Sequence, residues 1–157
     1  MTGNTDTSHA AAAVGASLLT GRPQRWAVFG ANAVSDAAAL SCALCSGSTV
    51  YIVRPGLPDT PAAKLGGVQV ALIDGDHRTE LQLRALDGIV LSGLQLAEAD
   101  PERMIRRMEP YFRDLEKFLL IEQAFPYCLL QQLFNRLGYR SVQLLSGALP
   151  YVALAAH

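Results

Sequence analysis

The chain has 157 residues, half of them apolar and 17 % charged, with a formal net charge of -1. That length suits one packed domain, and that apolar content argues against overall disorder. The near-neutral balance has no Lys/Arg cluster for nucleic acid or an anionic membrane, and no apolar run approaches the roughly 18–20 residues that span a bilayer.

Residues 9–20, HAAAAVGASLLT, have the texture of a signal-peptide core. The preceding MTGNTDTS has no Lys or Arg, so the positive n-region is missing. Residues 1–22 are read as a tail or peripheral helix ahead of one domain over 23–157, with the cytoplasm as the expected location. Cys42, Cys45 and Cys128 form an odd, sparse set that does not suggest a disulfide framework.

In chain order, a first strand is predicted over Trp26–Phe29 and a helix over Ala33–Cys45, with Gly47 as its C-terminal cap. A second strand covers Thr49–Val53 and ends at Arg54-Pro55-Gly56. Leu57–Gly67 holds two prolines and two glycines and reads as a loop. The third strand is Val68–Ile73, followed by the turn-like Asp74-Gly75-Asp76. A short helix is expected over Arg78–Leu86, then a fourth strand over Gly88–Leu91, an unbroken apolar run of the buried parallel type.

Asp100-Pro101 supplies an N-cap and a proline at the first helical position. Met104, Ile105, Met108, Phe112 and Leu115 fall on one helical stripe, which Pro110 should kink or divide. Arg103, Arg106, Arg107 and Arg113 are its expected solvated face. A fifth strand covers Phe118–Ile121. Pro126 opens another helix with Leu129, Leu130, Leu133, Phe134 and Leu137 as its apolar side and Gly138 after its end. Val142–Leu145 is the sixth strand. Strands alternating with helices predict an α/β domain, a doubly wound, mainly parallel sheet of about six strands of Rossmann type.

Such a sheet binds ligands beyond the carboxyl ends of its strands. The crevice is therefore expected at Gly30, Ala31, Asn32, Ala33, Val34 and Ser35, with Arg54, Ser92-Gly93 and Glu122–Phe125 beside them. A full dinucleotide loop is G-x-G-x-x-G, and here Asn32 and Ser35 stand at the second and third glycine positions. The Asn32 side chain would intrude on a phosphate. Asp36, in the first turn of the helix, would repel a diphosphate and could itself satisfy the free N–H groups there. Arg54 ends the second strand, where Arg suits a 2′-phosphate, so NADP is favoured over NAD if a dinucleotide binds, and no cofactor at all stands as an equal reading. Arg54 as an ordinary surface cation stands beside that.

Other clusters are weaker. Cys42-Ala-Leu-Cys45 has CxxC spacing but sits at a helix C-terminus, where the dipole disfavours thiolate, and reads as two small buried thiols. Asp74-Gly-Asp76-His77 is a polar turn without the second cluster a metal site needs. Glu122 and Tyr127 are the candidate catalytic pair, Glu122 for acid–base work or, equally, as a cap on the helix near Pro126.

The order of these pieces resembles the NAD(P)-binding N-terminal domain of opine dehydrogenases of the octopine and nopaline type. The likeness runs over about residues 25–152. It rests on AVFGANAVSDAAAL, Leu86-Asp87-Gly88-Ile89-Val90-Leu91, Met108-Glu109-Pro110-Tyr111-Phe112-Arg113-Asp114 and Ala148-Leu149-Pro150-Tyr151. It implies an oxidoreductase that transfers hydride to an imine of an amino acid and a 2-oxo acid. The family's helical catalytic domain has no counterpart here, and Glu122-Gln123-Ala124 replaces its Asn-Pro-Gly loop. Three uses of the domain follow: a subunit of an oxidoreductase completed by a separate catalytic chain, a non-redox enzyme acting on a small metabolite, or a non-catalytic partner, with a homodimer covering exposed apolar surface.

Overall fold

The computed structural model describes residues 22–30, 33–54, 60–65, 67–74, 85–92, 100–112, 117–122, 125–146 and 151–156. The expected tail lies almost wholly outside them. The elements are β1 (Arg25–Gly30), α1 (Ala33–Ala43), β2 (Thr49–Arg54), β3 (Thr60–Leu65), β4 (Val68–Asp74), β5 (Gly88–Ser92) and α2 (Pro101–Met108). A 3-10 turn (Glu109–Tyr111) follows, then β6 (Lys117–Glu122), α3 (Tyr127–Arg136), β7 (Ser141–Ser146) and β8 (Tyr151–Ala156).

The strands form an eight-stranded sheet in the order β3-β4-β2-β1-β5-β6-β8-β7. β4, β2, β1, β5 and β6 run parallel. This is the doubly wound, mainly parallel α/β class, and all six predicted strands are in it. The sixth, β7, runs in the same direction as the other five but does not pair with them: β8 lies antiparallel between it and β6.

Two strands were not expected. β3 occupies Thr60–Leu65, inside the stretch read as a loop, and pairs antiparallel with β4 across a bulge between Thr60 and Ala63. Pro61 suggested a breaker, but an edge strand needs no donor on its outer side. β8 begins within the Ala148-Leu149-Pro150-Tyr151 segment, which entered only through the family resemblance, and its Val152, Ala153 and Ala155 are fully buried.

Side chains alternate across the sheet as period-2 geometry requires. Trp26, Val28, Val50, Ile52, Val90, Leu119 and Ile121 face α1, where Ala37, Leu40 and Leu44 complete one core. Ala27, Val53, Ile89, Leu91, Phe118 and Leu120 face the other way, against Ile105 of α2 and Leu130, Leu133 and Phe134 of α3. The Phe118 ring anchors that second core, with centroids 5.2 Å from Phe112, 5.8 Å from Phe134 and 5.9 Å from Tyr139. The Trp26 indole is buried and donates its N–H to Gln24 Oε1 at 2.7 Å.

Local signals explain most helix ends. The Asp100 carboxylate accepts from the Arg103 N–H at 3.2 Å, and Pro101 occupies the first turn of α2. Pro110 has no N–H to continue the ladder, and the helix gives way to the 3-10 turn there. Gly138, with φ of 93°, closes α3 in the left-handed region.

Some expectations need correction. Of the helix expected over Arg78–Leu86, residues 78–84 lie outside the described ones. Its end is not helical: Ala85 has φ of 56° and Leu86 bridges to Phe112. Leu129, expected on the apolar side of α3, is 45 % exposed, because it falls off the Leu130–Leu133–Phe134–Leu137 stripe. The CxxC pair, Cys42 and Cys45, is expected to be buried. Cys42 is exposed and Cys45 half-buried, both off the Ala37–Leu40–Leu44 stripe. Leu115 and Arg113 lie outside the described residues. Among those described, no helix is long and apolar enough to cross a membrane.

Candidate functional site

Because the five parallel strands run the same way, their carboxyl ends meet at one edge of the sheet. Asp74, Arg54, Gly30, Ser92 and Glu122 are the last residues of β4, β2, β1, β5 and β6. Cross-strand registers align them: Arg54 opposes Asp74, Gly30 opposes Ser92, and Ser92 opposes Ile121, one residue before Glu122. Strand order reverses at β1, with β2 on one side and β5 on the other. The topological switch point of the sheet therefore lies between Gly30 and Ser92.

Gly30 turns the chain from β1 toward α1 with φ of 120°, a conformation that side-chain-bearing residues rarely adopt. Ala33 and Val34 open α1. Asp36 sits in the first turn of that helix and is buried, 1 % exposed. The first turn of α1 thus carries a buried negative charge, where a phosphate site would favour none.

On the other side of the switch point, β6 delivers Glu122 into a second polar cluster. Glu122 is 4 % exposed, and its Oε1 accepts from the Phe125 N–H at 3.3 Å. The Tyr151 hydroxyl, on the facing position of β8, donates to the Phe125 carbonyl at 2.6 Å. Burial first, and the Glu122 carboxylate second, push the Tyr151 phenol well above its ordinary range. Tyr127, at the start of α3, meets the Tyr151 ring edge-on at 5.8 Å and donates its hydroxyl to the Val142 carbonyl at 3.4 Å.

The candidate residues therefore separate into two groups along one edge. Gly30, Arg54 and Ser92 end β1, β2 and β5, and Glu122 and Tyr127 sit one strand further on. Ala31, Asn32 and Gly93 lie outside the described residues, as do residues 75–77 of the Asp74–His77 turn. Glu122 also explains its alternative reading: it holds the N–H of Phe125, just ahead of α3 rather than within its first turn. Tyr151 was missed as a member of this cluster. Its only signal was the Leu-Pro-Tyr segment, which says nothing about pairing with β6.

The arginines of α2 are exposed as expected, with Arg106 held by Glu109 at 3.1 Å. Among the described residues, no group of three or more His, Cys, Asp or Glu side chains is placed to hold a metal ion.

No protein-family model matches the chain, and no curated protein matches it in sequence. Solved structures match its fold. A methyltransferase from Geobacter sulfurreducens superposes with a TM-score of 0.64 at 12 % identity, over 96 % of this chain and 78 % of its own. Precorrin-6y C5,15-methyltransferase from Geobacter metallireducens gives 0.60 at 13 % identity, over 93 % of this chain and 88 % of its own. Fibrillarin from Aeropyrum pernix, solved with natively bound S-adenosyl-L-methionine, gives 0.53 at 13 % identity, over 94 % of this chain and 73 % of its own.

These matches correct the resemblance drawn from sequence order. The chain shares the Rossmann-like fold of these methyltransferases, and the likeness to an opine dehydrogenase NAD(P)-binding domain does not hold. The oxidoreductase reading and the NADP or NAD preference attached to it fall with that resemblance. The physical reason lies beyond β6. A doubly wound dinucleotide domain ends with a further parallel strand, whereas here β8 enters antiparallel and carries β7 at the edge. The first half of the chain, where strand-turn-helix pieces are common to both folds, could not distinguish them.

Proposed function

We propose that this chain is a methyltransferase-type protein that takes S-adenosylmethionine at the switch point between β1 and β5 and acts on a small-molecule acceptor beside β6. The observation that carries the reading is the strand order, with β8 antiparallel between β6 and β7, together with fold matches to methyltransferases over nearly the whole chain.

The residues present fit that cofactor better than a dinucleotide. S-adenosylmethionine has no phosphate. It carries a sulfonium and an ammonium cation, one carboxylate and an adenosine. The lost loop glycines and the buried Asp36 count against a diphosphate but place no obstacle before a cationic ligand. Gly30 and the backbone of Ala33 and Val34 would border the ligand from the β1 side, with the end of β5 at Ser92 opposite. Arg54 departs from the acid that a ribose diol takes at the end of a second strand. Its register partner Asp74 brings an acidic residue to the adjoining strand end.

When bound, S-adenosylmethionine supplies an electrophilic methyl group. Glu122 and Tyr127 are the groups this chain offers on the acceptor side. A carboxylate at the end of β6 can orient an acceptor through a hydrogen bond or receive its proton. The buried setting of Glu122 keeps competing water away from it.

Titration calorimetry and thermal shift with S-adenosylmethionine and S-adenosylhomocysteine test the reading. Binding of either, with stabilisation that grows with ligand concentration, is expected. No heat and no shift with both removes it.

A further inference from the structure

We infer that Glu122 and Tyr151 form a two-point clamp that fixes Phe125 as the wall of the crevice on its β6 side, with Tyr151 as a positioning residue. The inference rests on the proposed cofactor reading for its ligand, and on geometry alone for the clamp.

Glu122 and Tyr151 face each other across the antiparallel β6–β8 ladder. Both are almost completely buried. Each holds a different polar group of the same residue: Glu122 takes the Phe125 N–H, and Tyr151 donates to the Phe125 carbonyl. Phe125 is neither in β6 nor in α3, so no helix or sheet ladder supplies these bonds. A backbone position outside regular structure that is held at both its donor and its acceptor is restrained against rotation on either side. The Tyr127 ring, edge-on to Tyr151, extends the same support into the first turn of α3. Phe125 itself packs against the core that α2 and α3 share. Segments that follow the carboxyl ends of parallel strands border the ligand crevice in this architecture. The clamp therefore fixes where that border lies before any ligand arrives.

Hydrogen exchange with mass spectrometry or NMR on the full chain tests the clamp, and S-adenosylhomocysteine titration tests its connection to the site. Tyr151→Phe keeps the ring and removes only the donor. Exchange of the Phe125 amide should rise about tenfold, the loss of one buried hydrogen bond, while the amides of β1 and β5 stay protected. Glu122→Ala should have the same local effect, and Glu122→Gln, which retains an acceptor oxygen, should restore protection. Affinity of Tyr151→Phe for S-adenosylhomocysteine should fall about three- to tenfold, because Phe125 must then be ordered on binding. Unchanged exchange in both Tyr151→Phe and Glu122→Ala overturns the clamp. Faster exchange with wild-type affinity overturns the role of Phe125 as a wall. A wild-type chain that binds no S-adenosylhomocysteine overturns the cofactor reading and with it the wall, and the exchange arm still decides the clamp.

Discussion

Gly88 lies flush against the six-membered ring of Trp26, so that a Cβ at residue 88 would overlap the ring carbons Cη2, Cζ3 and Cζ2. The two residues are register partners on β5 and β1. The bare backbone of one strand is thus the floor on which the indole of its neighbour rests. Gly88→Ala should cost about 1–3 kcal/mol through overpacking. Urea denaturation followed by fluorescence of this single tryptophan measures the loss, and the emission of the native state should shift as the ring is displaced.

At Gly30 the constraint is the backbone conformation. Its φ of 120° lies where a side chain is strained, so Gly30→Ala should destabilise the fold by about 1–3 kcal/mol. On the proposed reading it should also weaken S-adenosylhomocysteine binding more than Gly138→Ala does. Gly138 also has a positive φ, but it lies beyond α3 with open space around it. Paired melting curves and titrations of the two variants separate the effects.

Phe118 is the ring that holds the α2–α3 side together. It touches Phe112, Phe134 and Tyr139 and is fully buried. Phe118→Ala should cost about 3–5 kcal/mol. Asp100→Ala, which only removes the cap bond to Arg103, should cost about 0.5–2 kcal/mol. Denaturant midpoints for both variants should rank in that order.

Tyr151 gives stability a pH dependence at the alkaline end. Burial, then the charge of Glu122, with smaller contributions from Tyr127 and Cys128, raise its phenol above the ordinary value of 10.0. The neutral form is therefore favoured more in the folded chain than in the unfolded one. Its contribution is fully present below the ordinary value and is lost as pH rises through the folded value. Between about pH 8 and about pH 11 the wild type should lose more stability than Tyr151→Phe. Denaturant midpoints across that range should converge for the two proteins; parallel curves would contradict the assignment.

Much of the fold was legible because its signals are local. The apolar run GIVL, the N-cap Asp100 with Pro101, and the left-handed Gly138 each act within a few residues. The carboxyl-edge placement of Gly30, Arg54, Ser92 and Glu122 followed from strand direction alone. What stayed hidden depends on pairing. Thr60–Leu65 looks like a loop until its edge position makes Pro61 acceptable. Tyr151 reaches Phe125 across 26 residues of sequence, and no periodicity encodes that contact. The family resemblance failed for the same reason: strand-turn-helix pieces are shared among doubly wound domains, and the distinguishing strand, β8, is defined by where it inserts.

That insertion orders events during synthesis. β7 emerges before β8, yet its ladder in the sheet is with β8. Until Tyr151–Ala156 has followed, the segment SVQLLS has no strand beside it, and Leu144 and Leu145, exposed even in the finished fold, have nothing to shelter them. The sheet is thus completed from the inside out, by a strand that slots in after its outer neighbour has already been made. β7 ends as an edge strand held on one side only, and such an edge is open to pairing with another chain.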